Sequence, residues 1–223
     1  MNKKRSVNLS LILGAVLLCL FLLFTVCALT VDVRPIGPNG STVGFAMING
    51  AFHKAVGAHS TAYTASELLG LLAWSLPLVF CILGIVQWIR RKRLFAVDAD
   101  IFVLAGAYVV MMLAYVLFEI FVVNHRPILV DGELEASYPS SHTLLAIVLF
   151  GTAIRQLLTR LSTRPLKYIA VACISSLLIG TVVCRLLSGV HWFTDIVAGV
   201  LLGSAIVFLC NGISTFVTKK ETT

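Results

Sequence analysis

Six long apolar segments, separated by shorter polar ones, dominate the pattern of this sequence. We place them at residues 9–31, 66–89, 100–123, 141–158, 168–187 and 194–217. Each approaches or exceeds the roughly 20 residues that an α-helix needs to cross a bilayer. The pattern therefore predicts an all-α integral membrane protein, with six transmembrane helices bundled in a single domain over residues 1–223.

The polar connection between the first two helices contains a weaker apolar pattern. Phe45, Ile48, Phe52 and Val56 recur at helical spacing. This spacing predicts a short helix over about residues 43–57 that lies in the membrane interface. An ordinary loop is the alternative.

Composition and charge placement support a membrane protein and give it an orientation. The chain is 59% hydrophobic and 12% charged, far more apolar than a soluble domain. Of its 17 Lys and Arg residues, all but four fall on the side of the membrane that holds both termini; the exceptions are Arg34, Lys54, Arg126 and Arg185. This bias places the termini in the cytoplasm. The net charge of +7 therefore reflects topology, and we expect no nucleic-acid partner.

Two other features of the sequence have simple interpretations. The first apolar run is longer than the core of a signal peptide, so we interpret it as an uncleaved helix. The six cysteines all lie in apolar runs without a Cys-x-x-Cys pair, which is typical of buried cysteines and not of a disulfide framework or a zinc site.

Ionisable residues cluster at the ends of the predicted helices on the outer side. Arg126, His142, Arg185, His191 and Asp195 all lie there, where charge is costly unless it is used. His191 and Asp195 are four residues apart, so in a helix the carboxylate would hold the imidazole Nδ1–H and leave Nε2 free as a nucleophile or base. Taken singly, each residue also fits a structural role, such as a snorkelling cation or a helix cap.

An anion suits this set of residues. Guanidinium groups match the oxygens of a phosphate, and the N–H groups at a helix start point towards an anion bound there. At a membrane surface, the sequence therefore predicts a lipid phosphate as ligand.

The same residues resemble a known family. Three blocks follow one another along the chain: Arg126-Pro127, then Pro139-Ser140-Ser141-His142, then Arg185 followed by His191 and Asp195. They resemble the three signature blocks of the type 2 phosphatidic acid phosphatase (PAP2) family of lipid phosphatases. The resemblance implies that His191 attacks phosphorus and forms a phosphohistidine, with Asp195 orienting it. It also implies that His142 protonates the leaving oxygen, and that Arg126, Arg185, Ser140 and Ser141 bind the phosphoryl group without a metal or other cofactor.

Three positions depart from the family pattern. Glu119 stands where the first block usually begins with Lys, Ser141 replaces a Gly, and Cys184 replaces a Ser. We hypothesise that Glu119 pairs with Arg126 or Arg185 and positions it, or stays protonated at that depth. A role in helix packing alone is the alternative.

These observations predict a multi-pass enzyme of the cell membrane that hydrolyses a lipid phosphate or diphosphate at the extracytoplasmic face, with undecaprenyl diphosphate favoured. The alternatives are a phosphatidate or phosphatidylglycerophosphate phosphatase, a lipid phosphotransferase, and a non-catalytic protein that binds a lipid phosphate. Besides this substrate, membrane lipids are the partners we expect.

Overall fold

The computed structural model describes residues 3–130 and 132–220. Over these residues the chain forms eight α-helices: α1 (Lys3–Thr30), α2 (Ala46–Val56), α3 (Ser60–Ala73), α4 (Ser75–Arg91), α5 (Ala99–Ile120), α6 (Ser141–Arg160), α7 (Arg164–Leu187) and α8 (Phe193–Lys220). Two short 3-10 helices, Pro38–Gly40 and Leu94–Ala96, and isolated β-bridges accompany them in the described ranges. The end residues of the predicted cytoplasmic termini, 1–2 and 221–223, lie outside the described residues, as does residue 131.

Six helical segments of this part of the chain are long and apolar enough to cross a membrane, which confirms the six-helix prediction. They are Arg5–Thr30, Ser60–Arg91, Ala99–Ile120, Ser141–Arg160, Arg164–Leu187 and Phe193–Thr218. The chain is thus an all-α, multi-pass membrane protein.

Several predicted helix bounds change. The second membrane segment begins six residues earlier than predicted and is divided into α3 and α4 at Trp74. Pro77 explains the break, because its ring clashes with the carbonyl of the residue four positions earlier, Ala73. The fifth segment begins at Arg164 and not at residue 168, because Pro165 fits the first turn of a helix.

The short outer helix predicted over residues 43–57 is present as α2. Its start is fixed by the preceding connection, in which Phe45 N–H donates to the Val31 carbonyl and Ala46 N–H to the Asp32 carbonyl. Met47 N–H also donates to the Asp32 side chain, and this bond is the largest effect that lowers the pKa of Asp32. The end of α1 thereby holds α2 against the bundle.

Helices α6 and α8 form the buried centre of the bundle, and α1, α3, α5 and α7 pack around them. Glycines allow the two central helices to approach closely. A Cβ on Gly199 would lie 3.0 Å from the Ser140 carbonyl oxygen, and one on Gly203 would lie 2.9 Å from Ile147 Cβ. Small residues at such contacts are how membrane helices pack without a hydrophobic driving force between them.

An ion-pair network closes the end of the bundle that holds the termini. Arg160 donates to Asp98 at 2.9 Å and to Asp100 at 2.8 Å, and Arg91 donates to Asp98 at 2.8 Å. Burial raises the pKa of Asp98, but the hydrogen bonds from Arg160, Arg91 and Gln87 outweigh it and leave the pKa below its usual value. The network therefore ties α4, α5 and α6 together at this end of the bundle.

Candidate active site

The predicted site residues meet at the other end of the bundle, which we call the site end. It is formed by α2, by the connection 121–140 between α5 and α6, and by the connection 188–192 between α7 and α8. His142 lies in the first turn of α6, Arg185 in the last turn of α7, and Asp195 in the first turn of α8. Arg126 and His191 lie in the two connections. Five residues from separate parts of the sequence are thus brought together.

His191 is the most enclosed of these groups. Its side chain is 1% exposed. Its Nδ1 lies 3.0 Å from the Ser137 carbonyl oxygen, to which it donates when protonated at that nitrogen, and its Nε2 has no hydrogen-bond partner among the described residues. Burial lowers the pKa of His191 well below its usual value, and the neighbouring Arg185, Arg126 and His142 lower it further. The imidazole is therefore neutral near pH 7, with Nε2 carrying a free lone pair.

Asp195 supports His191 differently from what the sequence predicted. Its Oδ2 is 3.9 Å from His191 Nδ1, too far for a hydrogen bond. Helix α8 begins only at Phe193, so residues 191 and 195 do not share a helical face. Asp195 instead accepts from Trp192 N–H at 3.0 Å and from Asn124 Nδ2 at 3.1 Å. The predicted hydrogen bond is wrong, while the predicted free Nε2 is present.

Arg185 is held by helix α3, which the sequence analysis did not implicate. Its side chain is 1% exposed. Its Nη1 donates to Glu67 Oε1 at 2.8 Å and to Ser66 Oγ at 3.1 Å, and its guanidinium carbon lies 5.4 Å from the centre of the Tyr63 ring. Its Nε has no hydrogen-bond partner among the described residues. One edge of the guanidinium is thus fixed, and the other is able to bind an oxyanion.

Arg126 lies beyond α5, in a hairpin-like connection, and does not end that helix as predicted. The connection is formed by a β-bridge between His125 and Ala136, by a second one between Val130 and Glu133, and by Arg126 N–H donating to the Glu135 carbonyl. The Arg126 Nε lies 3.0 Å from Glu135 Oε2, but its N–H is not directed at that oxygen and has no hydrogen-bond partner in the described ranges. Arg126 therefore has a counter-ion and still has a free donor.

His142 contacts a carboxylate through one nitrogen only. Its Nε2 lies 3.2 Å from Glu67 Oε2, and its Nδ1 is buried without a partner among the residues described. Glu67 thus touches both Arg185 and His142. A single charged residue within a predicted membrane helix was the signal by which the sequence could have identified it.

The unpaired buried atoms are concentrated in this site. In the described part of the chain seven buried side-chain nitrogens or oxygens have no hydrogen-bond partner. Four of them belong to predicted site residues: Arg126 Nε, His142 Nδ1, Arg185 Nε and His191 Nε2. Buried polar groups are nearly always paired, so such a concentration indicates a binding site. Two guanidiniums and two imidazoles suit an oxyanion.

The two serines of the second block have different surroundings. Ser140 is fully buried, its Oγ accepts from Thr143 N–H to cap α6, and its own N–H donates to the Asp195 carbonyl. Ser140 therefore has the structural role of a helix cap, and neither its Oγ nor its N–H is placed to bind phosphate. Ser141 lines a small cleft together with His191. The first N–H groups of a helix lack intrahelical acceptors, so those of Ser141 and His142 can meet an oxyanion.

Glu119 also lines this cleft, but it forms no ion pair with Arg126 or Arg185. Within the described residues these arginines pair with Glu135 and Glu67 instead. The predicted direct pairing is wrong, because the hairpin-like connection and α3 each supply a carboxylate that is closer.

Two buried asparagines, missed by sequence reasoning, connect α2 to the site. Asn49 accepts from Thr194 N–H at 3.1 Å and donates to both Thr194 Oγ1 and the Gly44 carbonyl at 2.8 Å. Asn124 accepts from Gly44 N–H at 3.2 Å and donates to Asp195. They fix the start of α8, where Asp195 lies. No local pattern distinguishes them from ordinary loop asparagines.

The sequence matches a family model in the region that carries these groups. The PAP2 superfamily model matches residues 109–219, about half of the chain, and this range holds all five clustered ionisable residues. The chain belongs to the PAP2 superfamily. This confirms the resemblance found in the three sequence blocks.

A solved structure gives the same result for the fold of this PAP2 protein. The crystal structure of a transmembrane PAP2-type phosphatidylglycerolphosphate phosphatase from Bacillus subtilis is similar to it, with a TM-score of 0.63. The match covers 90% of this chain and 94% of the other at 20% sequence identity. No curated protein sequence matches this PAP2 chain significantly.

Proposed function

We propose that this PAP2 protein is a lipid phosphatase that removes phosphate from a lipid phosphate or diphosphate, with His191 as the nucleophile. The observation that carries the proposal is the set of four buried nitrogens, on Arg126, His142, Arg185 and His191, that have no hydrogen-bond partner in the described part of the chain. A tetrahedral phosphoryl group offers oxygens to the two guanidiniums and phosphorus to the free Nε2 of His191.

In the first step, the lone pair of His191 Nε2 attacks phosphorus opposite the leaving oxygen. The N–P bond forms as the P–O bond to the leaving group breaks, and that oxygen takes a proton from His142. Arg126 and Arg185 stabilise the charge on the phosphoryl oxygens. The Ser137 carbonyl, as acceptor from Nδ1–H, favours the positive charge that develops on the imidazole of His191.

In the second step, water attacks the phosphohistidine. His142, now neutral, takes a proton from the water while the O–P bond forms. The N–P electrons return to Nε2 of His191, and inorganic phosphate leaves. The residues supply the nucleophile, the acid and base and the anion site. Accordingly, we propose a metal-independent reaction without a cofactor; in the described ranges no cluster of three or more His, Cys, Asp or Glu residues would hold a metal ion.

The charge bias along the chain supports an extracytoplasmic site in the cell membrane. Most lysines and arginines lie at the end of the bundle opposite to His191, as expected of the cytoplasmic side. The substrate head group would then reach the site from the outer leaflet.

Two apolar cavities favour a long lipid tail. One, of about 210 Å³, adjoins His142 and is bounded by Trp74. The other, of about 390 Å³, lies further along the seam between α4 and α5 and reaches Trp88. Fourteen helical residues rise about 20 Å, more than the roughly 15 Å depth of one leaflet's hydrocarbon. A tail along both cavities would pass the bilayer midplane, which favours a polyprenyl chain over a diacyl chain.

We therefore favour undecaprenyl diphosphate as substrate. Phosphatidylglycerophosphate is the second candidate, because the similar Bacillus subtilis structure is described as a phosphatase of that lipid. The two differ in tail length and in the bond broken, which is P–O–P in the first and P–O–C in the second.

Phosphate release from a panel of lipids tests the proposal. The purified protein in EDTA would be given undecaprenyl diphosphate, phosphatidylglycerophosphate and phosphatidate. We expect release in EDTA, fastest from undecaprenyl diphosphate. Release from phosphatidylglycerophosphate alone would contradict the favoured substrate, and release only after a metal is added would contradict the metal-independent reaction. No release from any of these lipids under either condition would contradict the proposed function.

A further inference from the structure

Glu67 is placed to act on the acid–base residue and on a phosphate-binding residue at once. Its carboxylate bridges His142 Nε2 at 3.2 Å and Arg185 Nη1 at 2.8 Å. Its side chain is 40% exposed, whereas that of Arg185 is 1% exposed. The bridge thus joins α3, α6 and α7.

Helix α3 is shaped around this bridge. Ser66 accepts from the same Nη1 of Arg185, so two neighbouring residues of α3 fix one edge of the guanidinium. One turn further on, a Cβ on Gly70 would lie 3.0 Å from His142 Cδ2 and 3.4 Å from its Nε2. The absence of a side chain at Gly70 therefore lets the imidazole lie against α3, where Glu67 reaches it.

The bridge determines which nitrogen of His142 is able to react. With Nε2 directed at the Glu67 carboxylate, the nitrogen left over is Nδ1, which is buried and unpaired within the described residues. His191 has the opposite arrangement, with Nδ1 tied to the Ser137 carbonyl and Nε2 free. Each imidazole thus has one nitrogen held by the protein and one without a hydrogen-bond partner among the described residues.

We propose that Glu67 is a positioning residue for the acid–base histidine: it holds Nε2–H of His142 so that Nδ1 exchanges the proton with the leaving group and then with water. This rests on the proposed function. The imidazolium of His142 loses the Nδ1 proton to the leaving oxygen and regains one from the attacking water. Throughout, Nε2–H donates to Glu67, whose negative charge stabilises the imidazolium.

Two substrates with different leaving groups separate this role from a merely structural one. Dioctanoyl phosphatidate has a poor leaving group that needs an acid, whereas p-nitrophenyl phosphate has a good one that does not. We expect Glu67→Gln to lower kcat roughly 10- to 100-fold on the first substrate, a part of the contribution of a general acid. On the second substrate we expect a loss at least about 3-fold smaller, because its leaving group needs no acid and only the later proton transfer from water, which both substrates share, is affected.

A double-mutant cycle with His142→Ala tests whether Glu67 acts through His142. If it does, adding Glu67→Gln to His142→Ala should change the rate on dioctanoyl phosphatidate by less than about 2-fold, because the two residues act as one unit. Losses that multiply in the double variant would overturn the inference, as would equal losses on the two substrates in the single variant.

Glu135→Gln is the matched control. Glu135 has a similar side-chain exposure of 43% and is also the counter-ion of a site arginine, but its ion pair is with Arg126 and not with a histidine. We expect it to change KM on both substrates and to leave the ratio of their kcat values unaltered. A change of that ratio equal to the one in Glu67→Gln would show that any lost counter-ion has the same effect, and would overturn the proposal.

Glu67→Asp keeps the charge and gives the same information if Glu67→Gln does not fold. Its ratio of kcat values should lie between those of Glu67→Gln and the wild type, and a ratio no closer to the wild type would contradict the role. Faster turnover in Glu67→Gln would show that the carboxylate competes with phosphate and would overturn the proposal. If the wild-type protein hydrolyses neither substrate nor any lipid of the panel, the proposed function itself fails.

Discussion

The position of His191 depends on a close backbone contact at Gly189. Gly189 has a φ of +71°, and a Cβ there would lie 2.4 Å from the Gly57 carbonyl oxygen and 2.6 Å from Ala58 Cα. The α2–α3 connection therefore packs directly on the connection that carries His191. Gly189→Ala should displace one connection from the other.

The size of the effect follows from this contact. An ordinary carbon–oxygen contact is about 3.3–3.6 Å, so the added methyl requires a shift of about 1 Å. A displacement of that size near a reacting group lowers the rate by about 100-fold. The positive φ alone costs about 1–2 kcal/mol. Gly40→Ala has this cost without the clash, because Gly40 has a φ of +74° and no heavy atom lies within 4 Å of the added Cβ among the described residues.

The assay is phosphate release by both variants in detergent micelles, together with their thermal unfolding midpoints. We expect Gly189→Ala to lose about 100-fold in kcat/KM, and Gly40→Ala to stay within about 2-fold of the wild type because only the strain of about 1–2 kcal/mol is added. If the two variants were equally active, the close contact would not position His191, and the reasoning would be refuted.

Three further predictions concern individual residues. Because burial and neighbouring cations lower the pKa of His191, its Nε2 stays unprotonated down to a more acidic pH. The acid limb of kcat/KM that this histidine causes should therefore lie below pH 6.5. A His191 titration at or above that pH, measured by NMR, would contradict this prediction. Asn49→Ala removes three hydrogen bonds that fix the start of α8 and should destabilise the protein by about 2–4 kcal/mol. The control is Asn8→Ala, at an exposed position. An unfolding midpoint equal to that of the control would show that the three bonds contribute nothing to stability. Glu119→Ala removes a carboxylate from the cleft without breaking an ion pair and should lower KM about 2- to 5-fold with little effect on kcat; a large loss of kcat in steady-state assays would restore the positioning role.

The helices could be predicted because membrane insertion depends on length and hydrophobicity, which are local properties. All six spans were found in this way. Their ends were less predictable because tertiary contacts determine them. Helix α5 ends at Ile120, three residues before its predicted end, where the chain turns so that Asn124 reaches Asp195 and Gly44.

The motif residues of the site could be predicted because each lies in or near a polar cluster that borders a predicted membrane helix. Their partners could not. Glu67 reaches His142 only because α3 packs against α6 and α7, and Asn49 reaches Thr194 only because α2 folds back onto α8. The predicted contact between His191 and Asp195 assumed a helix through both residues, but α8 begins between them.

Trapping the intermediate tests the central claim most directly. The protein would be mixed with a radiolabelled lipid phosphate and quenched in alkaline detergent, in which phosphohistidine survives, whereas acyl phosphates, phosphoserine and phosphothreonine are lost. We predict label on the protein at His191 in the wild type and none in His191→Ala, although that variant still inserts and folds. Hydrolysis of the lipid by His191→Ala, or label on a residue other than His191, would contradict the account.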